Sequence, residues 1–274
     1  MKSRFDQALD SDSTPSRTAA ERYRADRDEP RNSLALLTYR GGVEELQIGL
    51  EYSRSPDAGD RIVGAHILGQ LGWSDQTFLN ESVTRLTEML VDPDLPVISA
   101  AATALGHREA PGAIPHLLKI AAHPDASVRL GVVFGLTGYE DPEVIRTLIT
   151  LAKDEDTEVR NWAVFGLGSQ IETDSAGIRG ALVEALNDED PEIRGEALVG
   201  LAIRNHPSAR RFLLDEIRRD EEISYLAAEA ALTIDERFPD FRESSAHPDV
   251  DRAALIAALE ESLAKENASR PPDA

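Results

Sequence analysis

The amino-acid sequence predicts an all-α protein built from small helical units that stack on one another, and three observations support this class. Nearly the same fifteen residues occur twice, as DASVRLGVVFGLTGY at 125–139 and DTEVRNWAVFGLGSQ at 156–170. Apolar residues in these segments and their neighbours recur at the spacing of one helical face. No stretch shows the alternation and hairpin turns that are typical of a β-sheet.

The two copies belong to a longer series with a nearly constant period. Matched copies begin at Asp94, Asp125, Asp156, Asp190 and Asp220, at intervals of 31, 31, 34 and 30 residues, and a looser copy spans 59–72. A two-helix unit of about 31 residues cannot bury its own apolar face, so it must stack on a similar neighbour. Equivalent positions then have equivalent surroundings, which explains why the copies match in sequence.

Each copy contains two helical segments. In the first, Val159, Ala163 and Leu167 have the spacing of one helical face. The second segments follow a short turn and span 111–122, 142–153, 175–187 and 207–218. A glycine recurs at one position of the first segment, at Gly135, Gly166 and Gly200. Small residues there allow helices to approach closely, at a helix-propensity cost of about 1 kcal/mol for each glycine.

The acidic turns between copies are predicted to cap helices. Asp141 and Asp190 each precede a proline, an arrangement typical of an N-cap followed by the first helical residue. The clusters DEDTE at 154–158 and DEDPE at 188–192 lack the glycine at position six and the glutamate at position twelve of a calcium loop. We therefore interpret both clusters as inter-repeat turns whose aspartates cap helices.

An aspartate and an arginine four residues apart recur within the motif D-x-x-V-R-x-x-A-x-x-x-L-G. The pairs are Asp125/Arg129, Asp156/Arg160 and Asp190/Arg194. This motif resembles HEAT repeats, specifically the short bacterial and archaeal kind first noted in phycobilisome lyases, over about residues 57–234. The resemblance implies a right-handed α-solenoid with first helices on the convex face and second helices on the concave face. It also implies a ladder of these side chains between adjacent repeats, confined to the central three because Ile98 and Ser224 replace arginine.

The ends of the chain depart from the repeat pattern. Residues 1–32 are polar and mixed in charge, which predicts a disordered N-terminal arm, with a short helix over 17–27 as the alternative. The solenoid is expected to span 33–265, with clear repeats over 57–234, an insertion at 235–251 and an amphipathic capping helix at 252–265. The tail 266–274 is expected to be disordered.

Charge is the most unusual feature of the composition. The net charge is −21, and the excess falls in residues 33–274, because residues 1–32 hold seven basic and seven acidic residues. A surface this negative disfavours nucleic acid and favours cationic partners. The alternative is adaptation to high salt or to a GC-rich genome, consistent with four lysines against 25 arginines.

The sequence carries no recognisable catalytic or metal-binding constellation. It has no cysteine, which excludes disulfides, thiolate metal sites and cysteine nucleophiles. Its six histidines have no metal-ligand spacing, and no glycine-rich phosphate loop or nucleophile elbow is present. No signal peptide or membrane-spanning run is found, so a cytoplasmic location is expected. We predict a non-enzymatic protein without cofactor or metal.

Candidate contact residues fall into two groups. Predicted second helices supply basic or polar side chains to the concave face, where a basic stripe could hold an acidic peptide: His116, Lys119, Arg146, Arg179 and Arg210. Solvated helix faces are the alternative interpretation of this stripe. The aromatic candidates are Trp73 and Tyr139, in turns between helices, and Trp162, which is either a core residue or an exposed anchor.

The leading functional hypothesis is a scaffold or adaptor, monomeric in the favoured case, that binds a protein or peptide on its concave face. A chromophore (bilin) lyase is the alternative suggested by the resemblance. An inhibitor or immunity protein that masks a basic surface is a variant of the binding class. A HEAT-like DNA glycosylase is a further alternative, disfavoured because the net charge of −21 repels DNA.

Overall fold

A computed structural model describes residues 13–25, 31–219, 224–234 and 252–269. Throughout these residues every regular element is a helix and no β-strand occurs, so the predicted all-α class is confirmed. The chain divides into two compact units, residues 1–137 and 138–274.

Unit 1 contains eight helices in its described residues. They are α1 Ser16–Ala25, α2 Arg31–Arg40, α3 Val43–Ser53, α4 Ala58–Gln70, α5 Leu79–Met89, α6 Leu95–His107, α7 Ile114–Ile120 and α8 Ala126–Leu136. A short 3₁₀ turn, Pro111–Ala113, leads into α7. Helices α2, α4, α6 and α8 are the first helices of successive repeats, and α3, α5 and α7 are second helices.

Unit 2 contains seven helices in its described residues. They are α9 Pro142–Leu151, α10 Thr157–Phe165, α11 Ala176–Ala185, α12 Pro191–Ile203, α13 Ala209–Arg219, α14 Tyr225–Ile234 and α15 Arg252–Ser269. The first helix α10 continues into a π-helical turn, Gly166–Gln170. Helices α10, α12 and α14 are first helices, and α9, α11 and α13 are second helices.

Small residues set how closely the first helices pack. A β-carbon on Gly135 of α8 would lie 2.7 Å from the carbonyl oxygen of Ala102 in α6. A β-carbon on Gly200 of α12 would lie 2.6 Å from the Cα of Gly168. Both distances are too short for any side chain, so the prediction of close helix approach is confirmed at Gly135 and Gly200.

Aspartates begin the helices as the sequence predicts. The side chain of Asp141 accepts hydrogen bonds from the backbone N–H groups of Glu143 and Val144, and Pro142 takes the first helical position. The same arrangement of cap and proline begins α12 at Asp190. Asp125 and Asp156 also cap their helices. These turns therefore satisfy the free N–H groups of the helices, which is the predicted role of the acidic clusters.

The expectation of a disordered N-terminal arm is wrong for residues 16–25, which form α1. Ala19 and Ala20 of this helix are fully buried, and Tyr23 places its hydroxyl 2.6 Å from the Nδ1 of His66. Arg24 binds Asp60 with its Nε and Asp57 with its Nη2. The alternative expectation, a short helix over 17–27, is the one observed, with bounds at Ser16 and Ala25. Residues 1–12 and 26–30 lie outside the described residues.

At the other end, α15 supplies the apolar surface expected of a capping helix. Leu255 and Leu259 are buried in one cluster with residues of α12, α13 and α14. The helix ends at Ser269 rather than at residue 265. The predicted insertion at 235–251 and residues 270–274 of the predicted tail lie outside the described residues.

Candidate interaction surface

Arg61 and Arg160, near the start of the first helices α4 and α10, each fasten their helix to the turn that follows the repeat. Arg160 donates to Asp188 from both Nε and Nη2, at 2.9 and 3.2 Å. Arg61 donates to Asp92 in the same two-pronged way, at 2.8 Å each, and to Asp94 at 2.6 Å. The ladder therefore extends beyond the central three repeats, where the sequence analysis expected it to be confined.

The carboxylates of this ladder are not those assigned from the motif. Asp125, Asp156 and Asp190 cap helices, as described above. The acceptor for Arg160 is Asp188, two residues before a cap residue, and the acceptor for Arg194 is Glu216 near the end of α13. The prediction of motif aspartates as rungs is wrong because those oxygens already bind helix N–H groups. An Asp-x-Asp spacing in the turns is the sequence signal that identifies the true acceptor.

The arginines also fix the turns before their own helices. The Nη1 atom of each of four arginines donates to the main-chain carbonyls of the residues five and six positions earlier in the chain. These arginines are Arg61, Arg129, Arg160 and Arg194. Where Ile98 replaces the arginine, His123 occupies the position of the acceptor aspartate in the following turn. Its Nδ1 accepts from the backbone N–H of Asp125, as Asp92 does from Asp94. The repeat that lacks the arginine, at Ile98, is thus followed by a turn that lacks the acceptor aspartate, at His123.

Two buried arginines, Arg108 and Arg204, hold the connections between first and second helices. Both lie fourteen residues after a repeat start, and only 1% and 6% of their surfaces are exposed. Each donates to main-chain carbonyls 37 and 31 residues earlier, so the two sites are equivalent. Burial lowers the pKa of both guanidinium groups. Sequence reasoning missed them, although their shared repeat position was a usable signal.

The connections held in this way form what we call the loop edge, the side of each unit where first helices end and second helices begin. In unit 1 it comprises residues 41–42, 71–78 and 108–113, and in unit 2 residues 138–141, 171–175 and 204–208. Every positive φ angle in the described part of the chain falls here, at Gly41, Gly72, Gln76, Phe78, Glu109, Gly138 and Asn205. Left-handed backbone at four non-glycine residues is costly, at about 1–3 kcal/mol each, and such strain is typical of functional sites.

Trp73 lies in the connection between α4 and α5, on the loop edge of unit 1. More than half of its surface is exposed, at 57%, yet its loop is fastened on both sides. The N–H of Gly72 donates to the carbonyl of Thr38, and the hydroxyl of Thr77 donates to that of Gly41, both at 2.9 Å. Arg108 binds the carbonyls that bracket the loop. The indole is therefore presented to solvent by a backbone that has little freedom to move.

The ring of His107 supports the indole of Trp73, with ring centroids 5.8 Å apart and planes tilted by 58°. Burial lowers the pKa of His107, which favours the neutral form of its imidazole. The tryptophan thus rests on an aromatic ring and leaves its remaining surface available for contact.

The other two aromatic candidates are less accessible. Tyr139 is half-buried between Gly138 and Glu140. The carboxylate of Glu140 accepts from the N–H groups of Glu172 and Thr173, which fixes this turn to the next connection. Trp162 is 36% exposed and packs edge-on against Phe165 at 5.5 Å. Trp73 is therefore the strongest aromatic contact candidate of the three.

The basic candidates on the second helices are only partly available. His116 and Lys119 on α7 and Arg146 on α9 are exposed, and no hydrogen bond or ion pair of their side chains occurs within the described ranges. Arg179 on α11 is bound by Asp174, at 2.6 Å, and also donates to the carbonyl of Arg204. Arg210 on α13 is half-buried. Pairing of Arg179 weakens the predicted basic stripe.

A shallow groove of 420 Å³ lies on the second-helix side of unit 1, between α3 and α5. Its lining comprises Leu50, Arg54, Asn80, Glu81, Thr84, Arg85 and Glu88. Arg85 is fastened to the carbonyl and hydroxyl of Ser53 and to Glu88. Two arginines and two glutamates balance each other, so the groove has no marked charge preference.

Among the described residues, no group of three or more histidine and acidic side chains is arranged to hold a metal ion. None of the described helices has both the length and the apolar character needed to span a bilayer.

The repeat geometry agrees with comparison to known families. The family profile of HEAT repeats matches residues 49–130, 114–179 and 145–235, which together cover more than half of the chain. The protein therefore belongs to the HEAT-repeat family, as the Asp-x-x-x-Arg motif predicts.

Solved structures show the same fold. YibA from Escherichia coli is 24% identical, with a TM-score of 0.65, and the match covers 96% of this chain and 97% of that chain. An engineered protein is 19% identical, with a TM-score of 0.53 over 94% and 72%. A chain from the complex of CpcE and CpcF of phycocyanin lyase from Nostoc is 16% identical, with a TM-score of 0.49 over 92% and 97%. The first two likenesses concern the fold alone, and nothing is concluded from the third, whose TM-score is below 0.5. No curated protein sequence matches the chain.

Proposed function

We propose that this protein is a non-enzymatic scaffold that binds a protein or peptide partner, and that the Trp73 loop of the loop edge is its principal contact. The observation that carries the proposal is the combination of a 57% exposed indole with a loop fastened by Arg108, Thr38 and Gly41. Repeat arrays of this kind present extended surfaces that chiefly bind other proteins.

The energetics of interfaces favour such a residue. Tryptophan is enriched among the few interface positions whose truncation costs about 2 kcal/mol or more. A loop that is already held in one conformation loses little entropy when a partner docks on it. The strained residues Gln76 and Phe78 in the same loop, at φ angles of 50° and 51°, are consistent with a conformation maintained for contact.

The second helices of the two units, each taken by itself, are the other candidate surfaces for the same function. Lys119 in unit 1 and Arg146 in unit 2 are exposed without a side-chain partner among the described residues, so each charge is available to an acidic segment. The pairing of Arg179 with Asp174 makes the surface in unit 2 less basic than the sequence suggests. These surfaces are therefore second to the Trp73 loop.

The function can be tested by affinity capture from extracts of the source organism, with captured proteins identified by mass spectrometry. The intact protein is compared with Trp73→Ala, with Arg146→Glu and with Val91→Ala. Val91 is 85% exposed and lies away from the loop edge, so its truncation controls for general loss of apolar surface. We expect a specific protein to be retained by the wild type and by Val91→Ala and lost by Trp73→Ala.

Two results would count against the proposal in different ways. A partner lost by Arg146→Glu and retained by Trp73→Ala would place binding on the second helices of unit 2. Absence of any specifically retained protein would refute the scaffold function itself.

A further inference from the structure

We infer that the surface around Trp73 binds a basic segment of its partner, in which an arginine or lysine side chain lies next to an apolar residue. This inference rests on the proposed function and adds the chemical class of the partner. We call the surface the Trp73 patch and define it by Tyr39, Val43 and Trp73.

The apolar part of the patch is concentrated at one junction of the backbone. A β-carbon on Gly41 would lie 2.6 Å from the Cα of Gly72, so the α2–α3 and α4–α5 connections touch there. Tyr39 and Val43 lie two residues on either side of Gly41, and Trp73 follows Gly72. Their exposed fractions are 37%, 58% and 57%. The described residues include seven exposed large apolar side chains, and three of them therefore lie beside the contact between Gly41 and Gly72.

The exposed charges of the described residues that adjoin the patch in sequence are negative. Asp75 lies in the Trp73 loop, Glu44 follows Val43, and Glu109 follows Arg108; all three are exposed. No hydrogen bond or ion pair engages their carboxylates within the described ranges. The patch therefore offers three carboxylates to a partner.

The cations next to the patch residues in sequence, or next to His107, are turned into the protein. Arg108 is 1% exposed and binds main-chain carbonyls. Arg40 is half-buried and donates to the carbonyl of Thr14 and the hydroxyl of Ser16. Burial lowers the pKa of His107 and so favours its uncharged form. Among the described residues next to the patch in sequence, no exposed positive charge therefore offsets the three carboxylates.

An exposed indole surrounded by carboxylates suits a guanidinium or ammonium group. The face of a tryptophan ring attracts such cations, and it does so more strongly than the ring of tyrosine or phenylalanine. Arginine also stacks its planar group on aromatic rings while its N–H groups bind carboxylates. Val43 and Tyr39 supply contact for an apolar neighbour of that cation. An acidic or phosphate-bearing partner would be repelled by the same carboxylates.

The two tryptophans of the chain allow a direct test. In a Trp162→Phe variant the only remaining tryptophan is Trp73, so its fluorescence reports the patch alone. The probe is a nine-residue peptide of glycine and serine with an Arg-Leu-Arg centre. A matched peptide replaces both arginines by citrulline, which keeps the shape and removes the charge. A third peptide carries glutamate at both positions.

We expect the arginine peptide to quench Trp73 with a Kd below about 1 mM. The citrulline peptide should bind at least about tenfold more weakly, and the glutamate peptide should not bind. Binding should weaken severalfold between about 0.05 M and 0.5 M salt, because exposed charges are screened. The triple variant Glu44→Gln/Asp75→Asn/Glu109→Gln, checked for an unchanged thermal midpoint, should lose the preference for arginine over citrulline.

Equal binding of the arginine and citrulline peptides would overturn the inference, as would an absence of any Trp73 response to the arginine peptide. Different outcomes would refute the proposed function and the inference about the basic segment. A cellular partner lost by Trp73→Ala but retained by the triple carboxylate variant would keep the scaffold function and refute the basic partner. A partner retained by Trp73→Ala would refute the proposed contact, whatever the peptides do.

Discussion

Arg160 and Asp188 join two turns of the array through a single side-chain pair. Arg160 binds both carboxylate oxygens of Asp188, 28 residues further on, while its Nη1 binds the carbonyls of Asp154 and Glu155. Both side chains are only 13% exposed. One guanidinium thus ties the turn before α10 to the turn before α12, and its fork geometry allows it to bind both at once.

Replacement of Arg160 by alanine should destabilise unit 2 by about 2–3 kcal/mol, because it leaves the largely buried Asp188 without its partner. Arg160→Lys should recover little of this loss, since an ammonium cannot make the same set of bonds. The measurement is urea denaturation followed by circular dichroism. Arg211→Ala is the control: its pair with Asp215 is exposed, and we expect a change within about 0.5 kcal/mol. Equal losses in the two variants would contradict the structural role of the buried pair.

Arg108→Met should release the Trp73 loop. The substitution removes the donors to the carbonyls of Leu71 and Thr77, and each unsatisfied carbonyl costs about 1–3 kcal/mol, offset in part by relief of a buried charge. In the Trp162→Phe background we expect a lower fluorescence anisotropy of Trp73. Arg204→Met makes the equivalent change in unit 2 and should leave Trp73 unaffected. An unchanged anisotropy in Arg108→Met would show that the loop does not depend on the arginine.

Glu196 should make the stability of unit 2 depend on pH near neutrality. Burial, with repulsion from Glu229 and Glu192, raises the pKa of Glu196 to about 7. The neutral form is favoured in the folded state. Its stabilising effect is therefore complete below the ordinary glutamate pKa of about 4.5 and is lost as the pH rises through about 7.

Glu196→Gln should consequently raise the free energy of unfolding at pH 8, by about 1 kcal/mol after allowance for its partial exposure, and change it little at pH 4.5. The measurement is a set of urea titrations across this range. Glu158→Gln, at an exposed position, should show no comparable pH dependence. The assignment of a raised pKa to Glu196 would be contradicted by one result. In it, the free energy of unfolding of the wild type rises between pH 5 and 8 and Glu196→Gln shows the same rise.

Two helical glycines should respond to alanine in opposite directions. A β-carbon on Gly180 of α11 would meet nothing within 4 Å, so Gly180→Ala should stabilise the protein by about 0.5–1 kcal/mol through helix propensity. A β-carbon on Gly200 would lie 2.6 Å from the Cα of Gly168, so Gly200→Ala should destabilise by about 1–3 kcal/mol through overpacking. Thermal midpoints measured side by side test the contrast. The same sign in both variants would refute it.

The repeat could be predicted from sequence because stacking forces equivalent positions into equivalent surroundings. The motif placed the first helices, the caps Asp141 and Asp190, and the close approach at Gly135. The motif did not identify the carboxylates that bind the arginines, because an aspartate at the start of a helix can accept hydrogen bonds from several donors. Sequence spacing alone does not show whether such an aspartate binds an arginine, such as Arg160, or a backbone N–H of its own helix.

The candidate surface was predicted only in part. Trp73 and Tyr139 were placed correctly in turns, but exposure depends on tertiary contacts that one sequence does not show. The sequence predicted that Arg179 is available to a partner, because Asp174, which binds it, lies in an irregular connection. Arg108 went unnoticed because a single arginine in a turn ordinarily faces solvent.

The cation is absent at Ile98 and the anion is absent at His123, so the two ends of neighbouring repeats match each other in charge. Each repeat is therefore defined by the residue at its first-helix arginine position and by the residue at the acceptor position of its preceding turn. The repeats of Arg61 and Arg160 have an outgoing arginine, and each is followed by a turn that begins with an acceptor aspartate. Arg194 is bound instead by Glu216 of the second helix of its own repeat, and the repeat of Ile98 is followed by a turn that begins with His123. Duplication, deletion or shuffling of repeats in this chain is therefore restricted to orders in which neighbouring ends agree, and a designer who inserts a repeat must choose both of its ends.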